Sequence, residues 1–157
     1  MIRIIEDDIF NSPINTIICH QVNCQGVMGS GIAKEIKSRY PSVYEQYKSF
    51  CGSLDRKYLL GMGHLSIDNR TNRVIGNLFG QDGYGKGLQT DYFALQSALG
   101  DVKKFAKDHH LLVAIPFGIG RGFGGGDWNI VYKIIETVFE DYDNVVIYKL
   151  PDETRIS

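Results

Sequence analysis

Short apolar runs alternate with longer amphipathic segments along this chain. The apolar runs predict strands at residues 2–5, 16–19, 63–67, 74–79, 112–115 and 145–148. Apolar residues at helical spacing predict helices at residues 31–39, 42–50, 91–107 and 128–139. Strands that alternate with helices indicate an α/β layer fold. We therefore expect a mixed sheet between helices, with a ligand crevice at the carboxyl ends of its strands.

The clearest helix covers residues 91–107. Its apolar residues recur at the helical period: Leu95, Ala98, Leu99, Val102, Phe105 and Ala106. Thr90 precedes this helix and has a side chain suited to capping its start. In the same way, Asp127 is a suitable N-cap for the helix that begins at Trp128.

Length and charge narrow the class of protein. The 157 residues suit a single domain with one core, and we expect a monomer. The net charge of −1 and the pI near 6.4 argue against nucleic-acid binding through bulk charge. A nucleotide-sized ligand held by backbone N–H groups remains compatible with both values. The start of the chain lacks a long apolar core, and no run is long enough to span a membrane, so we expect a cytoplasmic protein.

The cysteines do not suggest a metal centre. The chain has three of them, Cys19, Cys24 and Cys51, and no C-x-x-C motif. His20 lies beside Cys19, but the paired spacing of structural zinc ligands is missing. We therefore expect buried free thiols, no metal and no cofactor.

Two glycine-rich segments dominate the candidate chemistry. They cover residues 23–33 and 116–128, and each follows a predicted strand and leads into a predicted helix. Glycine lets a backbone approach a bulky anion, and a helix start offers free N–H groups and a partial positive charge. Two such loops at strand ends predict a crevice for a ligand that carries a diphosphate.

Two familiar nucleotide motifs fit this sequence poorly. Gly120, Gly122 and Gly125 have the G-x-G-x-x-G spacing, but no βαβ unit follows them, which disfavours a Rossmann site. Residues 80–86 have the G-x-x-x-x-G-K spacing, but Gly87 stands where Ser or Thr should bind magnesium. A kinase or GTPase is therefore disfavoured.

The first glycine segment resembles macro domains. Residues 18–33 read ICHQVNCQGVMGSGIA and are followed by RYP at 39–41, most similar to the branch with the yeast-type ADP-ribose 1″-phosphate phosphatases. Residues 124–128, GGGDW, resemble the family's phosphate loop, and residues 77–81, NLFGQ, are similar to small bacterial and phage members. The resemblance covers essentially the whole chain. It implies a three-layer α/β/α fold with a central mixed sheet and ADP-ribose along its crest.

The resemblance also implies a set of ligand-binding residues. These are Asp8, Ile9, Asn23, Gly29, Ser30, Gly31, Ile32, Gly118, Ile119, Gly120, Arg121, Gly122, Phe123 and Tyr148. Residues 29–31 would surround the distal ribose and the diphosphate. Residues 118–123 would cradle the diphosphate through backbone N–H groups.

Three of these side chains also have a plain structural interpretation. The Asp8 carboxylate would accept a hydrogen bond from the adenine amino group, or it is a solvated or helix-capping group. Asn23 would contact the distal ribose, or it is a turn residue, a place that suits Asn. Tyr148 would pack on adenine, or it is an aromatic side chain on an edge strand.

His20 and Asp127 are the candidate catalytic residues. His20 ends a predicted strand three residues before Asn23 and titrates near neutral pH, so it suits nucleophilic attack or proton transfer. The resemblance implies a catalytic role, and the alternative is a core histidine bonded to a backbone carbonyl. Asp127 would orient His20 or a water, or only cap its helix.

Three functions follow for the ligand site. The first is hydrolysis of ADP-ribose 1″-phosphate to ADP-ribose, and the second is binding of ADP-ribose without turnover. The third is removal of ADP-ribose from protein or nucleic acid. One related branch does this with a lysine just after the strand that precedes the long helix. Residues 74–82 hold no lysine here, and the nearest is Lys86.

Overall fold

Six β-strands and five α-helices alternate along residues 2–85, 87–120 and 125–151, the ranges that the computed structural model describes. The strands are β1 (Arg3–Glu6), β2 (Thr16–Val22), β3 (Gly63–Ile67), β4 (Val74–Phe79), β5 (Leu112–Pro116) and β6 (Val145–Lys149). The helices are α1 (Gly31–Arg39), α2 (Pro41–Ser53), α3 (Arg56–Leu59), α4 (Tyr92–His109) and α5 (Trp128–Val138), with a 3₁₀ turn at Ile9–Asn11. The predicted α/β alternation is confirmed.

The strands form one mixed sheet in the order β1-β6-β5-β2-β4-β3. Every neighbouring pair is parallel except β3 and β4, which form an antiparallel hairpin. The carboxyl ends of β1, β2, β4, β5 and β6 therefore lie along the same edge. The loops that follow those strands meet there, and they include both glycine-rich segments.

Helices cover both faces of the sheet. One core holds the apolar faces of α4 and α5, and a second holds α1, the start of α2 and the 3₁₀ turn. Strand β2 serves both cores, because alternate side chains of a strand point to opposite faces. Ile17 and Cys19 face α4 and α5, whereas Ile18 faces α1. The result is the expected three-layer α/β/α arrangement.

Strand β2 is longer than the sequence predicts. It continues through His20 and Gln21 to Val22, because residues 20–22 pair with residues 77–79 of β4. The polar side chains of His20 and Gln21 interrupt the apolar pattern, so the sequence does not indicate that the strand reaches Val22. His20 therefore lies inside β2 and not at its end.

The predicted cap of α4 needs correction, and one short helix was not predicted. Asp91 caps α4, since its Oδ1 accepts from the Ala94 N–H at 3.0 Å. The predicted cap, Thr90, instead donates its hydroxyl to the carbonyl of Gly120 at 2.7 Å. The short helix α3 was not predicted, because four residues leave too little periodicity to detect.

In the described ranges, no helix combines the length and apolarity needed to cross a bilayer.

Candidate functional site

Hydrogen bonds join the loops at the carboxyl edge of the sheet. The backbone N–H of Cys24, after β2, donates to the carbonyl of Asp82, after β4, at 2.9 Å. The hydroxyl of Thr90, in the loop between β4 and α4, donates a hydrogen bond to the carbonyl of Gly120, after β5. The three loops therefore form one connected rim around the predicted crevice.

The second glycine segment folds back on itself. Gly120 has φ +78°, a conformation that residues with a Cβ rarely adopt, and its carbonyl accepts from the Gly126 N–H at 2.7 Å. A Cβ on Gly126 would lie 2.5 Å from that carbonyl oxygen. Both positions therefore require glycine for the loop itself. Gly118 and the buried Ile119 precede this turn, whereas Arg121, Gly122 and Phe123 lie outside the described residues.

The start of α1 forms the other side of the rim. Gly31 has φ +57° and begins the helix, so the N–H groups of its first turn lack partners within the helix. Ser30 is exposed and makes no side-chain cap bond, and Ile32 is buried in the core. Gly29 precedes them in the loop. These residues offer backbone donors to an anion, as the sequence predicts, and their contact with a ligand stays a prediction.

Asn23 organises the first glycine segment. Its Oδ1 accepts from the Gln25 N–H at 2.9 Å and the Tyr47 hydroxyl at 3.0 Å, and its Nδ2 donates to the Val27 carbonyl at 2.8 Å. The turn role of Asn23 is therefore present in the structure. An amide carries two N–H donors, so a ribose contact remains compatible with this arrangement.

Asp8 and Ile9 lie just after β1. The Asp8 Oδ1 accepts from the Phe10 N–H at 3.0 Å and caps the 3₁₀ turn, while Ile9 is buried against the sheet. The capping interpretation of Asp8 is therefore present in the structure. Its contact with adenine stays a prediction.

Tyr148 does not lie on an edge strand. Strand β6 pairs with β1 on one side and β5 on the other, so the expected edge position is wrong. The side chain is 7% exposed and shares a core with Ile9 and Phe10. Burial raises the pKa of its hydroxyl. Tyr148 therefore lies beside the 3₁₀ turn that Asp8 caps, and its packing on adenine stays a prediction.

His20 is 0% exposed, and its ring is held by a side chain rather than by a backbone carbonyl. Its Nε2 lies 2.7 Å from Oδ1 of Asn77, on the neighbouring strand β4. Its Nδ1 is buried and has no partner among the described residues. Burial lowers the pKa of His20 to about 4, and the bond to Asn77 only partly opposes that shift. The imidazole is therefore neutral at neutral pH.

Asn77 joins His20 to a polar cluster across β2, β4 and β3. Its Nδ2 lies 2.9 Å from the Ser66 Oγ and 3.3 Å from the His64 Nδ1. His64 is half-buried in β3, and its ring stacks on Phe50 with 4.1 Å between centroids. The sequence analysis assigned no site role to Asn77 or Ser66, because a polar residue inside a predicted strand does not reveal which side chain it will contact.

A second polar cluster lies on the opposite face of β2. The Gln21 Nε2 donates to the Gln81 Oε1 at 2.6 Å and to the Thr90 Oγ1 at 2.9 Å. Because Thr90 then donates to Gly120, the cluster links β2 to the second glycine segment. These three side chains were also absent from the predicted site. They come into contact because β2 continues past Cys19 and includes Gln21.

Asp127 caps α5, as predicted. Its Oδ1 accepts from the Asn129 N–H at 2.9 Å, and its own N–H donates to the Tyr92 hydroxyl oxygen at 2.9 Å. Helix α5 covers the face of the sheet opposite to the one that holds His20. The His20 ring is bonded to Asn77, and a role of Asp127 in orienting His20 or a water stays a prediction.

The cysteines are free thiols. Cys19 and Cys24 are buried, as expected, whereas Cys51 is partly exposed. Burial raises the pKa of the Cys24 thiol to about 12, which leaves it protonated and inert at neutral pH. Within residues 2–85, 87–120 and 125–151, no three His, Cys, Asp or Glu side chains form a group able to hold a metal.

Several known proteins are similar to this chain. No family model matches the chain. A curated ADP-ribose 1″-phosphate phosphatase from Aspergillus clavatus is 39% identical over an alignment that covers 83% of this chain and 86% of the relative. Two other fungal proteins of that name match at 44% identity over 50 residues, a quarter of their length. A DNA ADP-ribosyl glycohydrolase from Mycobacterium tuberculosis is 28% identical over 83% of this chain and 37% of the relative.

Solved structures give the same family. The macrodomain of Mycobacterium tuberculosis DarG is 25% identical, with a TM-score of 0.76 over 94% of this chain and 97% of that one. Thermosipho africanus DarTG in complex with ADP-ribose is 26% identical, with a TM-score of 0.76 over 98% of this chain and 42% of that one. The chain therefore belongs to the macro domain family, in the branch of the ADP-ribose 1″-phosphate phosphatases.

Proposed function

We propose that this chain hydrolyses ADP-ribose 1″-phosphate to ADP-ribose and inorganic phosphate. The observation that carries the proposal is His20, a neutral imidazole with an unpartnered Nδ1, three residues before the first glycine segment. The relative from Aspergillus clavatus, which matches most of this chain, bears the name of that activity.

We expect each part of this substrate to lie against a different part of the rim. The diphosphate would lie on the backbone N–H groups of the second glycine segment and of the first turn of α1. The adenine would lie toward Asp8 and Tyr148, and the distal ribose toward Asn23. The terminal phosphate would then lie nearest to β2, where His20 is.

The reaction requires only water as co-substrate. Water oxygen adds to phosphorus as the bond from phosphorus to the ribose O1″ breaks, and the electron pair of that bond stays on O1″. A base takes one proton from the water, and O1″ gains a proton to become the hydroxyl of ADP-ribose. A neutral imidazole can perform both proton transfers.

The second candidate is an ADP-ribose-binding module without turnover. Complete burial of His20 favours it, since a substrate can reach Nδ1 only if the residues that cover the ring move. Backbone donors in the two glycine segments would bind the diphosphate equally well in either case.

The third candidate, a lysine-dependent ADP-ribosyl hydrolase, has less support. The relative from Mycobacterium tuberculosis bears a glycohydrolase name, but residues 74–82 contain no lysine here. Gln81 lies in that stretch. Its side chain is buried and makes hydrogen bonds to Gln21 and to the Gly83 carbonyl. Lys86 lies outside the described residues.

One experiment separates these candidates. The purified protein is incubated with ADP-ribose 1″-phosphate, phosphate release is measured, and ADP-ribose binding is measured by calorimetry. Release of phosphate supports the first candidate, and binding without release supports the second. If the protein neither binds ADP-ribose nor releases phosphate, both candidates are contradicted.

A monomeric state and a cytoplasmic location also stay proposals. Light scattering tests the first, and fractionation of the source cells tests the second.

A further inference from the structure

The hydrogen bond between His20 and Asn77 determines which ring nitrogen of His20 carries the hydrogen. Both side chains are 0% exposed, and the bond between the His20 Nε2 and the Asn77 Oδ1 is 2.7 Å long. An amide oxygen only accepts hydrogen bonds. The His20 Nε2 must therefore carry the hydrogen, which leaves Nδ1 as the unprotonated nitrogen of the neutral ring.

The other end of the Asn77 amide supports this orientation. Its Nδ2 donates to the Ser66 Oγ at 2.9 Å and lies 3.3 Å from the His64 Nδ1. With the NH₂ group engaged on β3, the Oδ1 faces His20 on β2. The register of the sheet holds this geometry, because residues 20 and 77 are directly paired between β2 and β4.

We propose that Asn77 is a positioning residue that holds His20 in its Nε2–H form and thereby makes Nδ1 the reactive nitrogen. The inference rests on the proposed phosphatase function. In that reaction Nδ1 takes the proton from the attacking water, and the same nitrogen returns a proton to O1″ of the leaving ADP-ribose. The ring ends the cycle neutral, still bonded through Nε2 to Asn77.

Among the described residues, the shift in the pKa of His20 has two causes, burial and the bond to Asn77, and neither is a charged side chain. His64 is the titratable side chain that contacts Asn77 from β3, and burial lowers its pKa as well. A single carboxylate placed at position 77 should therefore dominate the titration of His20.

Two variants of Asn77 test the role. Asn77→Leu removes the acceptor, so the ring loses its fixed tautomer. We expect kcat to fall by roughly 10- to 100-fold, part of what general acid–base catalysis contributes, with KM and the Kd for ADP-ribose unchanged. Asn77→Asp keeps the acceptor and adds a charge that favours imidazolium. Its kcat should fall at low pH and recover toward the wild-type value at high pH, with the acid limb moved to higher pH.

Ser66→Ala is the matched variant for the cluster. It removes a partner of the Asn77 Nδ2 and leaves the His20 bond in place. We expect an almost unchanged kcat and pH profile. Equal losses in Ser66→Ala and Asn77→Leu would overturn the proposal, because the cluster as a whole would then matter and not the bond to His20. An Asn77→Asp profile identical to that of the wild type would also overturn it.

Imidazole ¹⁵N spectra of the wild-type protein test the tautomer without any assay of turnover. We expect the His20 signals of a neutral ring protonated at Nε2, and a ring protonated at Nδ1 would overturn the inference. The phosphate-release assay of the wild type tests the proposed function separately. Failure of that assay with an Nε2–H ring would reject the reaction, whereas success with an Nδ1–H ring would reject only the role of Asn77.

Discussion

The hydroxyl of Thr90 donates a 2.7 Å hydrogen bond to the carbonyl of Gly120. The same oxygen accepts from the Gln21 Nε2 at 2.9 Å, so one buried side chain joins β2, the start of α4 and the second glycine segment. The carbonyl of Gly120 also accepts from the Gly126 N–H. Thr90 therefore shares this carbonyl with Gly126, in the segment that is proposed to hold the diphosphate.

Replacement of Thr90 should weaken both stability and ligand binding. Thr90→Val keeps the shape of the side chain but leaves buried polar partners unpaired, which we expect to cost about 1–3 kcal/mol of unfolding free energy. Urea titration measures that loss, and calorimetry with ADP-ribose measures the loss of affinity. Thr90→Ser keeps the hydroxyl and should retain most of both. A Thr90→Val protein with wild-type stability and affinity would show that this bond does not shape the loop.

The stability of the protein should depend on pH through His20. Its pKa is about 4 in the folded chain, against an ordinary value of 6.5, because burial disfavours the charged ring. The unfolded chain therefore binds a proton that the folded chain does not, between those two pH values. The contribution of the neutral ring is complete above pH 6.5 and decreases as the pH falls toward 4, by up to about 3 kcal/mol.

Urea titrations at several pH values between 4 and 7 measure this effect. His20→Gln should lose stability less steeply than the wild type as the pH falls, because the titrating group is absent. Equal slopes in the two proteins would show that the folded pKa of His20 is not depressed.

The layers of the fold could be predicted from the sequence, because apolar periodicity marks β4, β5, β6 and the long helix α4 plainly. The pairing of side chains could not. The bond from His20 to Asn77 depends on a sheet register between strands that are more than fifty residues apart in sequence. Likewise, Gln21 and Thr90 meet only because β2 continues past its apolar residues.

Adenine recognition should depend on the carboxylate of Asp8. Asp8→Ala should weaken ADP-ribose binding by roughly 1.5–3 kcal/mol, the scale of a hydrogen bond to a charged group. Because Asp8 also caps the 3₁₀ turn, Asp8→Ser is the sharper variant: it keeps a capping oxygen and removes the charge. Calorimetry should show a similar loss in both variants. An equal weakening of ribose 5-phosphate, which lacks adenine, would contradict the assignment.

Turnover should depend on His20. If the ring transfers protons, His20→Ala should lose on the order of 10²–10⁴ in the rate of phosphate release, while calorimetry still detects ADP-ribose binding. Larger losses, together with a trappable phosphohistidine, would indicate attack on phosphorus by the imidazole itself. Near-normal phosphate release by a folded His20→Ala protein would remove the ring from the reaction.

A covalent intermediate through lysine should be absent. A lysine amine forms a Schiff base only when it is held at the carbonyl carbon and is partly neutral. Strand β4 and the three residues after it offer no lysine, and Gln81 is committed to bonds with Gln21 and the Gly83 carbonyl. We therefore expect no borohydride-trappable adduct when the protein is mixed with ADP-ribosylated protein or DNA.

Mass spectrometry of the borohydride-treated mixture checks this expectation. The informative variant is Gln81→Lys, which places an amine after β4 at the cost of the bond to Gln21. Adduct formation by Gln81→Lys alone would show that the crevice admits the substrate and that the wild type lacks only the nucleophile. An adduct in the wild type that maps to Lys86 would contradict the prediction and would favour the ADP-ribosyl hydrolase over the phosphatase.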